Sequence, residues 1–226
     1  IRYLATSLVH GNFLWRLLFT VGFAVKFIKF KAFFQKKKTI EIPIISSIRT
    51  TGDATVGKSS ITQVFHSDGT HFPKNYTMTT GVELCTKSVN IPDSQDCVEL
   101  FIYDSAGKEL FCEQVQKFWD HPSMVMVVFD VTNETSFNSC AKWLQRVRSQ
   151  KPDVPFPGVL VANKTDLDER RVISPKAGQD FAEMNGLAYF ECSAKEMQSV
   201  DQPFYYLANA FHKCYQEKMD FFKTLT

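Results

Sequence analysis

The sequence has no C-x-x-C pair. Its six cysteines stand singly at 85, 97, 112, 140, 192 and 214, with no histidine at zinc-ligand spacing. This excludes a zinc motif and dithiol redox chemistry, and thiols so widely spread are expected to be reduced and to serve packing. Glycine and proline are modest at 10 and 9 residues, and with 44% apolar residues this excludes collagenous, low-complexity and disordered chains. No uncharged apolar run approaches the about 20 residues that a bilayer span needs. Leu17 to Val25 is nine residues, and extending it to Phe34 takes in Lys26, Lys29 and Lys31. Each of those costs about 2.5–3.5 kcal/mol near a bilayer centre. Acids are absent from residues 1–40, which carry eight Lys/Arg, whereas residues 41–226 carry 18 bases and all 24 acids. The net charge of +2 thus divides into +8 on the first segment and −6 on the rest. An acidic globular part does not suit nucleic-acid binding, which needs a basic face.

What the first segment does have is phenylalanine. Phe19, Phe23, Phe27, Phe30 and Phe34 recur at helical spacing and would form a stripe for a surface amphipathic helix. Lys26 falls beside that stripe and Leu18, Val21 and Ala24 fall outside it. A signal peptide or an acid-poor presequence also fits. A further reading is that residues 1–51 do not belong to the functional protein, as translated non-coding sequence would not. The stretch Ser46-Ser47-Ile48-Arg49-Thr50-Thr51 supports that reading, because it stands where a buried strand should carry aliphatic side chains. Pro43 further limits residues 40–45 as a central strand.

Directly after it, Gly52-Asp53-Ala54-Thr55-Val56-Gly57-Lys58-Ser59 fits G-x-x-x-x-G-K-[ST], a pattern expected by chance in about one such chain in a hundred. A loop that turns its N–H groups onto phosphate needs glycine at Gly52 and Gly57 to relieve crowding. Lys58 would reach the β and γ phosphates. Ser59 would place a hydroxyl on Mg²⁺, and the helix opening through Ser59 and Ser60 would point its positive end at the anion.

Beyond the loop the order is α/β. Val98–Tyr103, Met124–Phe129 and Gly158–Ala162 read as buried strands, and Phe137, Cys140, Ala141, Leu144 and Val147 mark a helix capped by Asn133. Residues 82–91 and 97–103, joined by Pro92-Asp93-Ser94-Gln95-Asp96, read as a hairpin that adds one antiparallel edge strand to a parallel sheet. Asp104-Ser105-Ala106-Gly107 ends one strand, where a carboxylate can hold the Mg²⁺ shell and the Gly107 N–H can meet a γ-phosphate. Asn163-Lys164-Thr165-Asp166 ends another. Asp166 can accept the paired N1–H and N2–H₂ donors of guanine, a pair that adenine lacks, so the site would select GTP over ATP. Ser193-Ala194-Lys195 follows a short strand near Ala188–Glu191 and would offer a backbone N–H to guanine O6.

These motifs together resemble the Ras-superfamily small GTPases of the Rab type. The resemblance runs from Gly52 to about Leu225 and excludes residues 1–51. It implies the small G domain of the P-loop NTPases: an α/β fold with a mostly parallel six-stranded sheet, one antiparallel edge strand and helices on both faces. Tyr76-Thr77-Met78-Thr79-Thr80-Gly81-Val82-Glu83 resembles the Rab first switch. That likeness implies that Thr79 closes on Mg²⁺ and the γ-phosphate and that Phe72 covers the guanine edge. The implied metal set is Ser59, Thr79 and Asp104, and the groups implied to act at the γ-phosphate are Lys58, Thr79 and Gly107. Ser67-Asp68-Gly69, residues 98–111 and Asp130-Val131-Thr132-Asn133-Glu134 are most similar to the Rab-like subunits of intraflagellar transport complex B. That similarity implies a GTP/GDP switch in cytoplasm and cilium, in a stable heterodimer with a small jelly-roll subunit. A nucleotide-bound scaffold and a vesicle-trafficking Rab are the alternatives.

Two features depart from the general pattern. Lys108 stands where Rab proteins carry the glutamine that orients the attacking water. An ammonium has no acceptor for the water's proton, so slow GTP hydrolysis is expected. The last cysteine is Cys214, so no prenyl membrane anchor is expected. A stripe of Phe204, Leu207, Ala208, Phe211, Tyr215, Met219 and Phe222 marks a terminal helix whose distal end exceeds what the domain needs to cover.

Overall fold

The computed structural model describes residues 44–152 and 155–224. Within them, six strands form one sheet in the order β2-β3-β1-β4-β5-β6. The strands are β1 (Ile44–Thr51), β2 (Val82–Asn90), β3 (Cys97–Ser105), β4 (Met124–Asp130), β5 (Gly158–Asn163) and β6 (Ala188–Glu191). Only β2 runs antiparallel, pairing with β3 from Val82 opposite Ser105 to Asn90 opposite Cys97, as the hairpin reading expects. The helices are α1 (Lys58–His66), α2 (Cys112–Gln116), α3 (Glu134–Asn138), α4 (Cys140–Arg148), α5 (Pro175–Met184) and α6 (Gln202–Thr224). This is the expected α/β small G architecture.

Burial follows strand position. Every residue of β4 and β5 is buried, because helices cover both faces of the middle of the sheet. Successive side chains point to opposite faces, so Met124, Met126 and Val128 join one core layer and Val125, Val127 and Phe129 the other. The first layer packs on α1 and α6, where Phe65 and Phe204 stack at 3.9 Å. The second packs on α4 and α5 and holds the two largest buried side chains, Trp119 and Trp143. Asn133 caps as expected, but the helix read from Phe137 to Val147 is broken at Ser139 into α3 and α4. Asn133 accepts the Ser136 N–H at the start of α3, and Ser174 accepts the Ala177 N–H ahead of Pro175 in α5. Among the described residues no helix is long and apolar enough to cross a membrane. The phenylalanine stripe between Phe19 and Phe34, and Pro43, lie outside the described residues.

The strand before the phosphate loop departs from the sequence reading. Residues 46–51, set aside with the extension, form most of β1 in the middle of the sheet, paired on one side with β3 and on the other with β4. The two flanking ladders satisfy the backbone whatever the side chains are. The side chains fare less well. Arg49 is 3% exposed; it gives one Nη2 bond to the Asp120 carbonyl at 2.7 Å and lies 4.0 Å from the Tyr103 ring centre. Its Nε and Nη1 and the hydroxyls of Ser46, Thr50 and Thr51 have no hydrogen-bond partner among the described residues. Each such group is destabilising by about 1–3 kcal/mol. Thr50→Val is therefore expected to raise the thermal unfolding midpoint by about 2–4 °C for a domain of this size. A lower midpoint in a melting experiment would show that the Thr50 hydroxyl is not a liability.

Candidate functional site

The carboxyl ends of β1, β3, β5 and β6 open on one side of the sheet, and the loops that follow them help enclose a cleft of about 490 Å³. A volume in this range takes a small organic ligand. Its lining joins segments far apart in sequence: the loop after β1, the 72–79 segment, the turn after β3, and the turns after β5 and β6.

The phosphate loop is shaped by its glycines. Gly52 has φ 138°, and a Cβ there would lie 2.2 Å from the Val128 carbonyl oxygen. Gly57 has φ 98°, and its Cβ would lie 2.2 Å from Asn163 Nδ2. Both positions therefore demand glycine for conformation and for space. Lys58 opens α1 and is nearly buried. Its Nζ donates to the carbonyls of Gly52 at 2.9 Å and Asp53 at 2.7 Å, which closes the loop into a ring. Burial draws its ammonium down to about 8, with Asp104 and Asp53 opposing that fall. Ala54, Thr55, Gly57, Ser59 and Ser60 line the cleft, whereas Gly52, Asp53 and Val56 lie behind it and contribute backbone.

Three expected metal-side residues meet at one end. Ser59 Oγ lies 3.0 Å from Thr79 Oγ1, and the Asp104 carboxyl lies beside the same hydroxyl. Burial pushes that carboxyl up to about 6, against the Ser59 hydroxyl and the Lys58 charge, and its Oδ1 is buried without a hydrogen-bond partner. A buried, unpaired carboxylate oxygen beside two hydroxyls is a donor set suited to a hard cation such as Mg²⁺. Gly107 completes this end: a Cβ there would lie 2.4 Å from the Asp53 carbonyl carbon, so the 104–107 turn rests on the phosphate loop. Lys108 follows, exposed and at the cleft, with no acidic partner among the described residues.

At the other end, Asp166 accepts the Ser193 hydroxyl on Oδ1 at 2.7 Å and has Lys195 Nζ 3.7 Å from Oδ2. Phe72 lines the cleft and is half-buried against the first core layer. Lys164 has φ 69° and pairs with Asp130 at 2.6 Å, which holds the lysine in an otherwise unfavourable backbone region. Desolvation raises the Asp130 carboxyl, but the bonds from Lys164 and Thr132 outweigh it and hold the group below its usual value.

Asn163 lines the cleft and also binds protein through both heteroatoms of its side chain. Its Nδ2 donates to the Val56 carbonyl at 2.8 Å and its Oδ1 accepts the Ala194 N–H at 3.1 Å. The amide thus joins the phosphate loop to the 193–195 turn, and Nδ2 keeps a second hydrogen for a ligand. The Ala194 N–H, one of the candidates for guanine O6, is engaged in this bond. The sequence reading did not find Trp143, whose indole Nε1 donates to Asp53 Oδ1 at 2.7 Å. Ninety residues separate the two, and no short motif carries that signal. The six cysteines are free thiols, and burial pushes Cys140 and Cys192 up to about 12.

A parallel sheet with a glycine-shaped phosphate loop and a carboxylate at the far end of the same cleft defines an α/β phosphate-loop domain. A model of the Ras family matches residues 48–213, and the chain belongs to that family. It is 55% identical over 174 residues to the intraflagellar transport protein 27 homolog of Bos taurus, which covers 77% of this chain and 94% of the relative. It is 39% identical to intraflagellar transport protein 27 of Chlamydomonas reinhardtii over 196 residues, 83% of this chain and 96% of that one. Similarity extends to the Ras-related protein Rab-2B of Dictyostelium discoideum, 35% identical over 77% of this chain and 84% of the relative.

The buried lysine gives a pH test. Its ammonium is lowered to about 8 in the free site, and a polyphosphate would raise it again. Nucleotide binding at pH 8.5 is therefore expected to take up more than about half a proton, and affinity is expected to fall as pH rises above 8. Calorimetry in buffers of different ionisation enthalpy reads that uptake. Zero uptake would mean that Lys58 does not gain its charge on binding.

Proposed function

We propose that the cleft binds GTP and GDP with Mg²⁺ and that the protein is a Rab-like switch of intraflagellar transport with slow hydrolysis. The observation that carries this reading is the two-ended cleft. Lys58, Ser59, Thr79, Asp104 and Gly107 gather at one end, and Asp166, Ser193 and Lys195 at the other. In this assignment the loop from Gly52 to Ser60 holds the phosphates, and Lys58 balances the charge that builds on the β and γ groups. Ser59, Thr79 and Asp104 hold the cation, which when bound neutralises phosphate charge. Asp166 selects guanine, Phe72 covers its edge, and Asn163, Lys164 and the 193–195 turn hold the walls around the base.

Lys108 sets the rate. Its ammonium can approach phosphate oxygens but cannot accept a proton from water, so it favours binding over turnover. In single-turnover assays the wild-type protein is expected to hydrolyse GTP at least about tenfold more slowly than Lys108→Gln. Equal rates would remove Lys108 from this role.

The names of the bovine and algal relatives support a place in intraflagellar transport, in cytoplasm and cilium. We assign the protein a stable heterodimer with a small jelly-roll subunit of complex B. The distal half of α6 suits such a partner, since Phe221 and Phe222 are each 61% exposed and Tyr215 and Met219 are also exposed. We further assign residues 52–226 to the GTPase domain proper, with residues up to Thr51 standing in for a more apolar first strand. The unpaired polar groups of β1 support this. Transcripts are expected to join the Gly52 codon to a different upstream sequence; transcripts uniformly continuous with the codons for residues 1–51 would overturn the assignment.

A further inference from the structure

Three links that the nucleotide reading leaves aside converge on α4. Trp143, 1% exposed, donates its indole N–H to Asp53 and so turns that carboxylate away from the cleft. Three residues on, the Arg146 guanidinium lies 5.0 Å from the Trp143 ring centre. Arg146 also grips Glu109 with a fork, Nη1 on Oε2 at 3.1 Å and Nη2 on Oε1. Lys142 adds a contact to the same carboxylate at 3.0 Å. Glu109 immediately follows Lys108. The third link is Trp119, which meets Trp143 edge-on at 6.3 Å and donates its own N–H to Ser105 at 3.0 Å. Helix α4 therefore reaches the phosphate loop and both ends of the 105–109 turn. Between those ends, Gly107 rests on Asp53 and Ala54.

An exposed ion pair is ordinarily worth little, because two flexible side chains lose freedom to form it. Here the cost is reduced. The Arg146 side chain is only 19% exposed, its guanidinium lies over an aromatic ring, and the fork matches the carboxylate in two places. Hydrogen bonds from Arg146 first and Lys142 second hold the Glu109 carboxyl down to about 2.

We propose that Glu109 is a positioning residue which, through Arg146 on α4, holds Gly107 and Lys108 at the γ-phosphate end of the cleft, so that the tether governs how long a nucleoside triphosphate stays bound. The proposal rests on the guanine-nucleotide reading. A diphosphate ends at the phosphate loop and does not reach the 107–108 turn, so loss of the tether acts on the triphosphate alone.

The test is stopped-flow release of mant-GTPγS and mant-GDP from the full chain with Mg²⁺. It compares wild type, Glu109→Arg, Arg146→Glu and the double exchange. Each single reversal is expected to speed mant-GTPγS release about three- to tenfold while mant-GDP release changes less than about twofold. The double exchange is expected to return mant-GTPγS release to within about twofold of wild type. Unchanged triphosphate release in the single variants overturns the proposal. So does equal acceleration of both nucleotides, or a double exchange no better than the singles. If a reversal variant fails to fold, Glu109→Gln and Arg146→Gln read the same ratio. A wild-type protein that binds neither mant-nucleotide overturns the nucleotide reading itself, whereas binding with a tether-independent ratio overturns only the tether.

Discussion

The cleft depends on one buried amide. Asn163 stands at the end of β5, 1% exposed, and uses both heteroatoms of its side chain to join two loops that no backbone ladder connects. The bond to Val56 fixes the back of the phosphate loop, and the bond from Ala194 fixes the turn beside Asp166. Gly57 exists in this geometry because any side chain there would occupy the amide's place. Removing Asn163 would strand a buried carbonyl and a buried N–H together, and the low dielectric around them makes both omissions expensive. The two ends of the cleft are thus kept in register by a group whose side chain is mostly committed to protein contacts.

Lys58 and Asp104 are the counterpart of that rigidity. Both are buried by the fold, and burial moves both toward neutrality, the lysine downward and the aspartate upward. Each opposes the other's shift through their mutual attraction. The free site therefore holds two groups whose charged forms are costly and whose natural relief is a polyanion with its cation. A ligand of that kind would offset the cost of burying the two groups, so preference for it is built into their solvation as well as into their hydrogen bonds.

Much of this was legible in the sequence because phosphate chemistry is written in short segments. The loop from Gly52 to Ser59 is legible from its spacing and the 104–107 and 163–166 turns from their places at strand ends, and the structure brings them to one cleft. Strands β4 and β5 were readable for the same reason, as uninterrupted apolar runs. What escaped was long-range. The Trp143 bond to Asp53 and the grip of Arg146 on Glu109 join residues distant in sequence, and such pairs leave no periodic trace. Strand β1 escaped for a different reason. Propensity and polarity argued against Ser46 to Thr51, but ladders on both sides impose an extended backbone regardless of side chain, and the cost appears as unpaired hydroxyls and guanidinium nitrogens. The sequence places a backbone N–H of the 193–195 turn at the base without choosing among the three, and the fold engages that of Ala194 with Asn163.

The indole pair has a consequence of another kind. The sequence has three tryptophans, and two of them, Trp119 and Trp143, sit edge to face in the core with their N–H groups on Ser105 and Asp53. Indole emission responds to the hydrogen bond and field at that nitrogen. These two chromophores therefore look directly at the turn after β3 and at the phosphate loop. The protein carries an intrinsic optical reporter whose two halves are wired to different parts of the same cleft, so the movement of either loop is visible in unlabelled protein.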